Sequence, residues 1–285
     1  MILVADSGSS KTDWILQLAN SQYLEFHTKG INPFLQSEKE IAKILQQTSE
    51  IEQFAGEVSE VHFFGAGCTN PDKREIVSNA LSRFFKNAFI NVENDVLGRA
   101  YATCGKSKGL ISILGTGSNI AFFDGEEIHK CKQGLGYILG DEGSGTYFGK
   151  KLVTAFLYES MPKDLYSDFK ESYNVDKENV IKNVYQKPSA NLYLSYFARF
   201  MSKHKGHPYI ESLIREGFEE FIVLNKKAFE DYRAFPCHFV GSIAFYFQNT
   251  LKEICNKHQI KIGKTLTHPI KELYNFILAG EFQNI

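Results

Sequence analysis

An apolar strand, a turn rich in glycine and hydroxyl groups, and a second strand occur together twice in the sequence. The first copy is LVADSGSSKTDW at residues 3–14, and the second is ISILGTGSNIAFF at residues 111–123. Glycine lets the backbone N–H groups of a turn approach an anion without a Cβ in the way, so such turns can bind phosphate. Each turn alone is also explained as an ordinary hairpin. Two such turns, opening two similarly ordered halves, favour phosphate binding.

The order of the predicted elements indicates two related α/β domains around a central cleft. Each half begins with three strands joined by turns and continues into helices, and a length of 285 residues suits two domains. We place the division at residues 106 and 107, which gives domains 1–106 and 107–285. The pattern predicts one helix over residues 37–54, a mainly helical stretch over 144–230 and a last helix after Pro269.

Composition and motifs exclude several classes of protein. The formal net charge of −1 gives no general attraction to nucleic acid or anionic lipid. No apolar run approaches the roughly 18 residues that a membrane helix needs, and the first residues lack a basic segment typical of a signal peptide. The five cysteines form no CxxC pair, which is typical of reduced thiols in a cytoplasmic protein. No P-loop motif and no dinucleotide-binding GxGxxG motif is present.

Four acidic residues stand where chemistry is expected. Asp6 ends the first strand beside a hydroxyl-rich turn and could hold Mg²⁺, directly or through water. Asp95 ends the strand FINVEND and opens a helix; its carboxylate could accept a proton, but Asp is also a preferred N-cap residue. Asp141 and Glu142 lie between glycines in GDEGSG, where they could bind a ligand or favour the dipole of the following helix.

Several motifs carry a family resemblance. DSGSSKTDW resembles the first phosphate motif of the actin-like ATPases and sugar kinases, GTGSN resembles their second phosphate motif, and VGSIA resembles their adenosine motif. GINPF, FGAG, ENDVLGRAYA, ILGTGSN and GLGYILGDEGSG follow one another over residues 1–150. In that order they are similar to the N-acetylglucosamine kinases and the BadF/BadG/BcrA/BcrD-type ATPases. The resemblance implies two actin-like (ribonuclease H-like) domains.

The resemblance also implies an activity and a set of site residues. It implies an ATP- and Mg²⁺-dependent kinase that phosphorylates the 6-hydroxyl of N-acetylglucosamine or a related amino sugar, with Asp95 as catalytic base and Asp6 and Glu142 at the metal. The sugar would contact Asn32, Thr116, Gly117 and Asp141. The nucleotide would contact Gly8, Ser9, Ser10, Lys11, Thr12, Gly115, Thr116, Gly117, Ser118, Gly241 and Ser242. From the residues alone, Asn32 is equally a turn residue before Pro33, and Lys11 equally a surface residue.

Two other functions stay open on the sequence. One is an ATPase that activates a partner enzyme and holds an iron–sulfur cluster, for which Cys68, Cys104 and Cys131 are the conceivable ligands. The other is a non-catalytic sugar sensor on the same fold. Leu135 stands where such kinases often carry an aromatic residue, which leaves the identity of the sugar open, N-acetylmuramate included. The expected partners are small molecules, and a homodimer is left open.

Overall fold

The computed structural model describes residues 1–8, 10–18, 22–131 and 134–280 of the chain. These residues form two compact units. Unit 1 contains the described residues of Met1–Ser107 and Phe123–Ile128, together with those from Pro269 onward. Unit 2 contains the described residues of Lys108–Phe122 and His129–His268. Ser9, which the sequence assigns to nucleotide binding, lies outside the described residues.

Unit 1 contains a five-stranded sheet in the order β3-β2-β1-β4-β5. Strand β1 pairs in parallel with β4 and antiparallel with β2, and β2 pairs antiparallel with β3. Leu3, Val4 and Ala5 of the central strand are all buried, as expected for a strand covered on both faces. The strands are β1 (Ile2–Ser7), β2 (Lys11–Gln17), β3 (Tyr23–Lys29), β4 (Glu60–Gly65) and β5 (Phe89–Asn94).

Unit 2 contains most of a second five-stranded sheet with the same order of strands. Its order is β10-β9-β6-β7-β8. Counted from β8, its strands follow in the order third, second, first, fourth and fifth, and the strands of unit 1 follow in the same order when they are counted from β3. The predicted α/β class and the predicted likeness of the two halves are therefore confirmed. The strands are β6 (Gly109–Leu114), β7 (Ser118–Phe123), β8 (Ile128–Lys130), β9 (Cys237–Val240) and β10 (Ile262–Leu266).

The helices of unit 1 differ from the prediction at one point. Residues 37–54 form two helices and not one, because Thr48 has an extended backbone and its hydroxyl donates to the Ile44 carbonyl at 2.9 Å. The first of the two begins with a capping box between Ser37 and Glu40. The helices are α1 (Glu38–Gln46), α2 (Ser49–Phe54), α3 (Pro71–Ser82) and α4 (Asp95–Cys104).

Unit 2 is mainly helical between its third and fourth strands, as the apolar spacing predicts. Its core is rich in phenylalanine, and Phe148, Phe169, Phe200 and Phe218 are fully buried. The helices are α5 (Gly136–Leu139), α6 (Gly145–Leu157), α7 (Lys163–Ser172), α8 (Lys177–Ile181) with a following π-helical turn Lys182–Gln186, α9 (Ala190–Tyr196), α10 (Arg199–Lys203), α11 (Pro208–Leu224), α12 (Lys226–Asp231), α13 (Ser242–Tyr246) and α14 (Gln248–Lys257).

The last described helix, α15 (Ile270–Leu278), packs within unit 1. The ring of Phe276 stacks on that of Tyr101 in α4 at 4.6 Å between centroids, and Lys271 pairs with Glu25 at 2.9 Å. The packing groups α15 with the N-terminal strands, whereas the predicted division at residues 106 and 107 had assigned it to the second domain; that division stays a prediction. No described helix has the length and apolarity to cross a membrane.

Candidate functional site

The carboxyl ends of three parallel strands meet at one edge of the sheet in unit 1. In the register of the sheet, Ser7 at the end of β1 lies beside Gly65 of β4, and Gly65 lies beside Asn94 of β5. The residues next to these positions, Asp6 and Asp95, therefore come to the same edge. Ligands of open α/β sheets bind at the carboxyl ends of the strands, so this edge is a candidate site.

Arg99 lies close to both carboxylates at that edge. Its guanidinium bonds the Asp95 carboxylate four residues earlier in α4, and its Nη2 lies 4.0 Å from Oδ1 of Asp6. Burial alone disfavours the Arg99 cation, but Asp95 and Asp6 outweigh it and raise the Arg99 pKa above its ordinary value. No sequence motif singled out Arg99, although Asp and Arg four residues apart on a helix are a recognisable signal.

The N-cap of α4 is Asn94 and not Asp95. The Asn94 backbone is extended, and its side-chain oxygen accepts from the Val96 N–H at 2.9 Å. The alternative that Asp95 caps the helix is therefore wrong, because the residue before it makes the capping bond. Asp95 is the first residue of the helix, and its carboxylate bonds Arg99.

Asn32 begins a tight turn, as its place before Pro33 predicts. Its side-chain oxygen accepts from the Phe34 N–H at 2.9 Å, and its carbonyl accepts from the Leu35 N–H at 2.9 Å. Gly67, after β4, has a φ of +84°, and a Cβ there would overlap the side chain of Asn32. Glycine at this position thus allows Asn32 to pack against the loop that follows β4. Its contact with sugar stays a prediction.

The first turn, the described part of residues 7–12, is held by buried hydroxyl groups. Ser7 and Thr12 are fully buried, and their hydroxyl oxygens lie 2.6 Å apart. The Ser7 hydroxyl accepts from the Ile31 N–H at 3.0 Å, and the Thr12 hydroxyl donates to the Lys29 carbonyl at 3.3 Å. Both hydroxyls therefore bind neighbouring protein segments, and contact of Thr12 with phosphate stays a prediction.

Gly8, Ser10 and Lys11 are the other described residues of the first turn that are predicted to contact phosphate. The Gly8 N–H donates to the Lys11 carbonyl at 2.9 Å, which closes the turn. Ser10 is exposed, and its carbonyl accepts from Gly30. The Lys11 ammonium pairs with Asp13 at 2.6 Å. A phosphate at Lys11 would have to compete with that carboxylate.

The second turn, residues 115–118, is held by the beginning of helix α6. The Gly145 N–H donates to the Gly115 carbonyl at 2.7 Å, and both the backbone N–H and the hydroxyl of Thr146 donate to the Thr116 carbonyl, at 3.0 and 2.7 Å. The first N–H groups of a helix lack partners within it. Here they bind the carbonyls of the turn.

Asp141 holds the other side of the second turn. Its Oδ1 accepts from the Ser118 N–H at 3.1 Å, and a Cβ at Gly117 would lie 2.9 Å from its Oδ2. Asp141 has a left-handed backbone with φ of 59°. Ser144 caps α6 by accepting from the Tyr147 N–H, so capping of α6 does not depend on the Asp141 carboxylate. Glu142 is buried and lines a small pocket beside Asp141 and Ser118.

Gly241 follows β9, which lies parallel to β6, and it packs against the beginning of the second turn. Its φ is +126°, and a Cβ there would overlap the Leu114 carbonyl. Its N–H donates to the Leu266 carbonyl at 2.8 Å. Ser242 is exposed and begins the short helix α13. Close backbone approach therefore requires glycine at position 241.

A second ion pair in unit 1 was also missed by the sequence analysis. Arg74 of α3 bonds Glu93 of β5 at 2.8 Å, and its Nε donates to the Cys68 carbonyl at 3.3 Å. Burial raises the pKa of Glu93, and Arg74 opposes that effect. The pair ties the loop after β4 to the end of β5. Its partners come from separate elements, so no local spacing could have revealed it.

The comparison with solved structures finds a full-length relative. A protein from Porphyromonas gingivalis, provisionally described as an N-acetylglucosamine kinase, is 37% identical over 100% of both chains, with a TM-score of 0.91. A ROK family glucokinase from Streptomyces griseus, solved with glucose and AMPPNP, is 13% identical, covers 96% of this chain and 98% of its own, and has a TM-score of 0.57. The second likeness is one of fold alone.

Comparison of sequences finds a more distant and partial relative. An N-acetylmuramic acid/N-acetylglucosamine kinase from Clostridium acetobutylicum is 28% identical over 163 residues, which are 55% of this chain and 53% of that enzyme. The chain thus matches about half the length of this curated relative. No family model matches the chain.

Proposed function

We propose that the chain, which belongs to the N-acetylglucosamine kinase family, is an ATP-dependent kinase. Its acceptor would be the 6-hydroxyl of N-acetylglucosamine or of a related amino sugar. Family membership rests on 37% identity over the full length of a relative described in those terms. The partial relative from C. acetobutylicum is named for both N-acetylmuramic acid and N-acetylglucosamine. Both sugars are therefore acceptors to test.

The arrangement of Asp6, Arg99 and Asp95 at one edge of the sheet in unit 1 is the observation that best supports this chemistry. In the proposed reaction, the sugar hydroxyl gives its proton to the Asp95 carboxylate as its oxygen bonds the γ-phosphorus, and the bond to the leaving ADP oxygen breaks. Asp95 suits this role because Asn94 makes the capping bond. Its carboxylate is therefore not required to begin the helix.

The donor set at this edge fits Mg²⁺. Among the described residues no three or more His, Cys, Asp or Glu side chains form a metal cluster. A carboxylate such as Asp6 still suits Mg²⁺, which is usually held by one or two carboxylates together with substrate phosphates. When bound, the ion would offset phosphate charge. We propose Asp6 as a ligand, with Glu142 as a second candidate.

The two turns and their neighbours would bind the substrates. We propose that the nucleotide phosphates contact the first and second turns and that the nucleoside contacts Gly241 and Ser242. The sugar would contact Asn32, Thr116, Gly117 and Asp141. Support comes from their backbone geometry, since Gly67, Gly117 and Gly241 all lie where a side chain would collide with a neighbouring group. We propose a cytoplasmic location, because the ATP that the proposed activity uses is an intracellular metabolite.

A panel of sugars with ATP and Mg²⁺ tests the activity, read by ADP release and by the mass of the product. We expect a product 6-phosphate from N-acetylglucosamine, N-acetylmuramate or a close relative. ATP hydrolysis without a phosphorylated sugar would reject the proposal.

Size-exclusion chromatography with light scattering would test the homodimer, which stays a prediction.

The substitution Asp95→Asn tests the catalytic base. It keeps the shape but removes the proton acceptor, so kcat should fall by about 10²–10⁴ with saturating sugar and ATP, measured below the melting temperature, which should fall as well because the buried Arg99 loses a charge partner. Asp72→Asn is the matched control, because Asp72 is an exposed acidic residue in the first turn of α3. A kcat of Asp95→Asn within about threefold of wild type, well below the general-base range, would reject the assignment.

The rival function, an ATPase with an iron–sulfur cluster, has weaker support. Its ligands would have to be thiolates. Burial raises the pKa of Cys68 to about 12 and that of Cys131 to about 11, so both thiols favour the protonated form. A brown colour of anaerobically purified protein would favour the rival.

A further inference from the structure

We propose that Arg99 is a positioning residue: its two terminal nitrogens hold the carboxylates of Asp95 and Asp6 in one fixed arrangement. The inference rests on the proposed kinase function. It adds a residue that the motifs did not single out. Its basis is the geometry of three side chains in unit 1.

The guanidinium uses different nitrogens for the two carboxylates. Nη1 bonds Oδ2 of Asp95, and Nη2 lies 4.0 Å from Oδ1 of Asp6. Among the described residues, no hydrogen bond reaches Oδ1 of Asp95. Arg99 thus fixes one oxygen of the proposed base and leaves the other as a proton acceptor.

The arrangement is buried, which strengthens its electrostatics. The side chains of Arg99, Asp95 and Asp6 are 11%, 14% and 9% exposed. Two carboxylates at one edge repel each other, and a buried cation between them offsets that repulsion. Without Arg99, we expect repulsion to turn the Asp95 side chain away from its position. A displacement of about 1 Å in a reacting group can lower a rate about 10²-fold.

Lysine cannot reproduce this arrangement. The guanidinium is a planar fork whose nitrogens bind two partners at once, whereas an ammonium is a compact point charge. A lysine at position 99 keeps the charge but can serve only one of the two carboxylates at a time. Arg99→Lys therefore separates the effect of geometry from that of charge.

The competing explanation is that Arg99 only stabilises helix α4 through an i,i+4 ion pair. The two explanations differ in which measured quantity depends on the pair of Arg99 with Asp95: kcat at saturating substrates, or thermal stability. A positioning residue acts through the base, so its loss matters little once the base is gone. A residue that only stabilises the helix through this pair instead couples to Asp95 in thermal stability and leaves the kcat of the folded enzyme unchanged.

A double-mutant cycle makes this distinction. The variants are Arg99→Met, Arg99→Lys, Asp95→Asn and the two double variants, each measured for kcat at saturating sugar and ATP and for thermal stability. We expect Arg99→Met to lower kcat by about 10–100-fold beside Asp95 and by less than about threefold beside Asn at position 95. Arg99→Lys should show the same dependence on Asp95, with a loss of at least about threefold.

Arg83→Met is the matched control, because Arg83 pairs with Glu38 elsewhere in unit 1 and is half exposed. It should leave kcat unchanged. If Arg99→Met does not fold, Arg99→Lys decides, since it retains the cation. Equal losses in both backgrounds, or a wild-type kcat for Arg99→Lys, would overturn the inference. A wild-type enzyme that phosphorylates no amino sugar would instead reject the proposed function.

Discussion

The first and second turns connect the first two strands of sheets that have the same strand order, but they are held by different groups. Side-chain hydroxyls hold the first turn, where Ser7 binds Thr12 and the backbone of Ile31. In the second turn it is the backbone groups of the turn itself that are bound: the beginning of α6, including the Thr146 hydroxyl, binds the carbonyls of Gly115 and Thr116, and Asp141 accepts from the Ser118 N–H. Similar topology therefore does not require similar residues.

The difference explains why the two halves resemble each other in order and not in identity. A hydroxyl anchor requires Ser or Thr at particular positions, whereas a backbone anchor requires small residues that allow close approach. Unit 1 accordingly has Ser7 and Thr12 at its turn, and unit 2 has Gly117 opposite Asp141 and Gly241 against Leu114. Substitutions should separate the two kinds of anchor.

The largest effect is expected at Gly241. Gly241→Ala places a side chain on a backbone with φ of +126° and against the Leu114 carbonyl, so the free energy of unfolding should fall by about 3 kcal/mol or more. The counterpart in the first turn is Gly8→Ala, whose Cβ would make an ordinary 3.7 Å contact. Denaturant unfolding of both variants measures the contrast. Equal losses would show that both turns are packed alike.

The next effect is expected at Ser7. Ser7→Ala removes the acceptor of the buried Ile31 N–H, and stability should fall by about 1–3 kcal/mol. Ser118→Ala is the counterpart in the second turn. There the backbone N–H, and not the hydroxyl, bonds Asp141, so the loss should stay below about 0.5 kcal/mol. A larger loss of unfolding free energy for Ser118→Ala than for Ser7→Ala would contradict the distinction between hydroxyl anchors and backbone anchors.

A smaller effect concerns pH and one buried histidine in each sheet. Burial, then Lys264, lowers the pKa of His238 in unit 2 to about 4, from an ordinary value near 6.5. The folded state then binds fewer protons, so the contribution of His238 is present above about pH 6.5 and lost as the pH falls towards 4. His238→Gln should reduce the loss of stability between pH 7 and 5 by about 1–2 kcal/mol.

His62 is the counterpart in unit 1. Burial lowers its pKa as well, but Glu60 opposes the shift from 3.2 Å. His62→Gln should therefore change the pH dependence less than His238→Gln does. Thermal melts of both variants between pH 5 and pH 7 test whether His238→Gln changes the pH dependence more than His62→Gln does. An equal or larger change for His62→Gln would contradict it.

The smallest effect on stability is expected at Lys11, whose ion pair with Asp13 is partly exposed. Lys11→Gln should change the free energy of unfolding by less than about 0.5 kcal/mol. The variant also decides between the two interpretations of this residue. A raised KM for ATP at unchanged stability supports phosphate contact. Unchanged kinetics mean that Lys11 is a surface residue.

Local patterns predicted the strands, the turns and most helices, because the alternation and the helical spacing of apolar residues can be recognised among neighbouring residues. They also predicted that Asp6 and Asp95 each lie at the end of a strand, but not that these strands end at the same edge of one sheet. They did not predict which of Asn94 and Asp95 caps α4. Both residue types are preferred caps, and the choice depends on the backbone angles of a single residue.

Contacts between distant residues could not be derived from the sequence. Ser118 and Asp141 are 23 residues apart, and Arg74 and Glu93 come from a helix and a strand. Such pairs depend on packing, which leaves no local period. Arg99 is different, because its spacing from Asp95 was readable once the helix was assigned.

The ribosome synthesises α15 after all the other described helices, although α15 packs in unit 1. Residues 1–107 emerge first, and about 160 further residues follow, which take roughly 10–30 s at typical elongation rates. During that interval the face of α4 that carries Tyr101 lacks Phe276, its stacking partner. We expect a released chain that ends at residue 268 to be cleaved by protease within residues 1–107, and a released chain that extends through residue 280 to resist. Unit 1, though begun first, is thus completed late in synthesis.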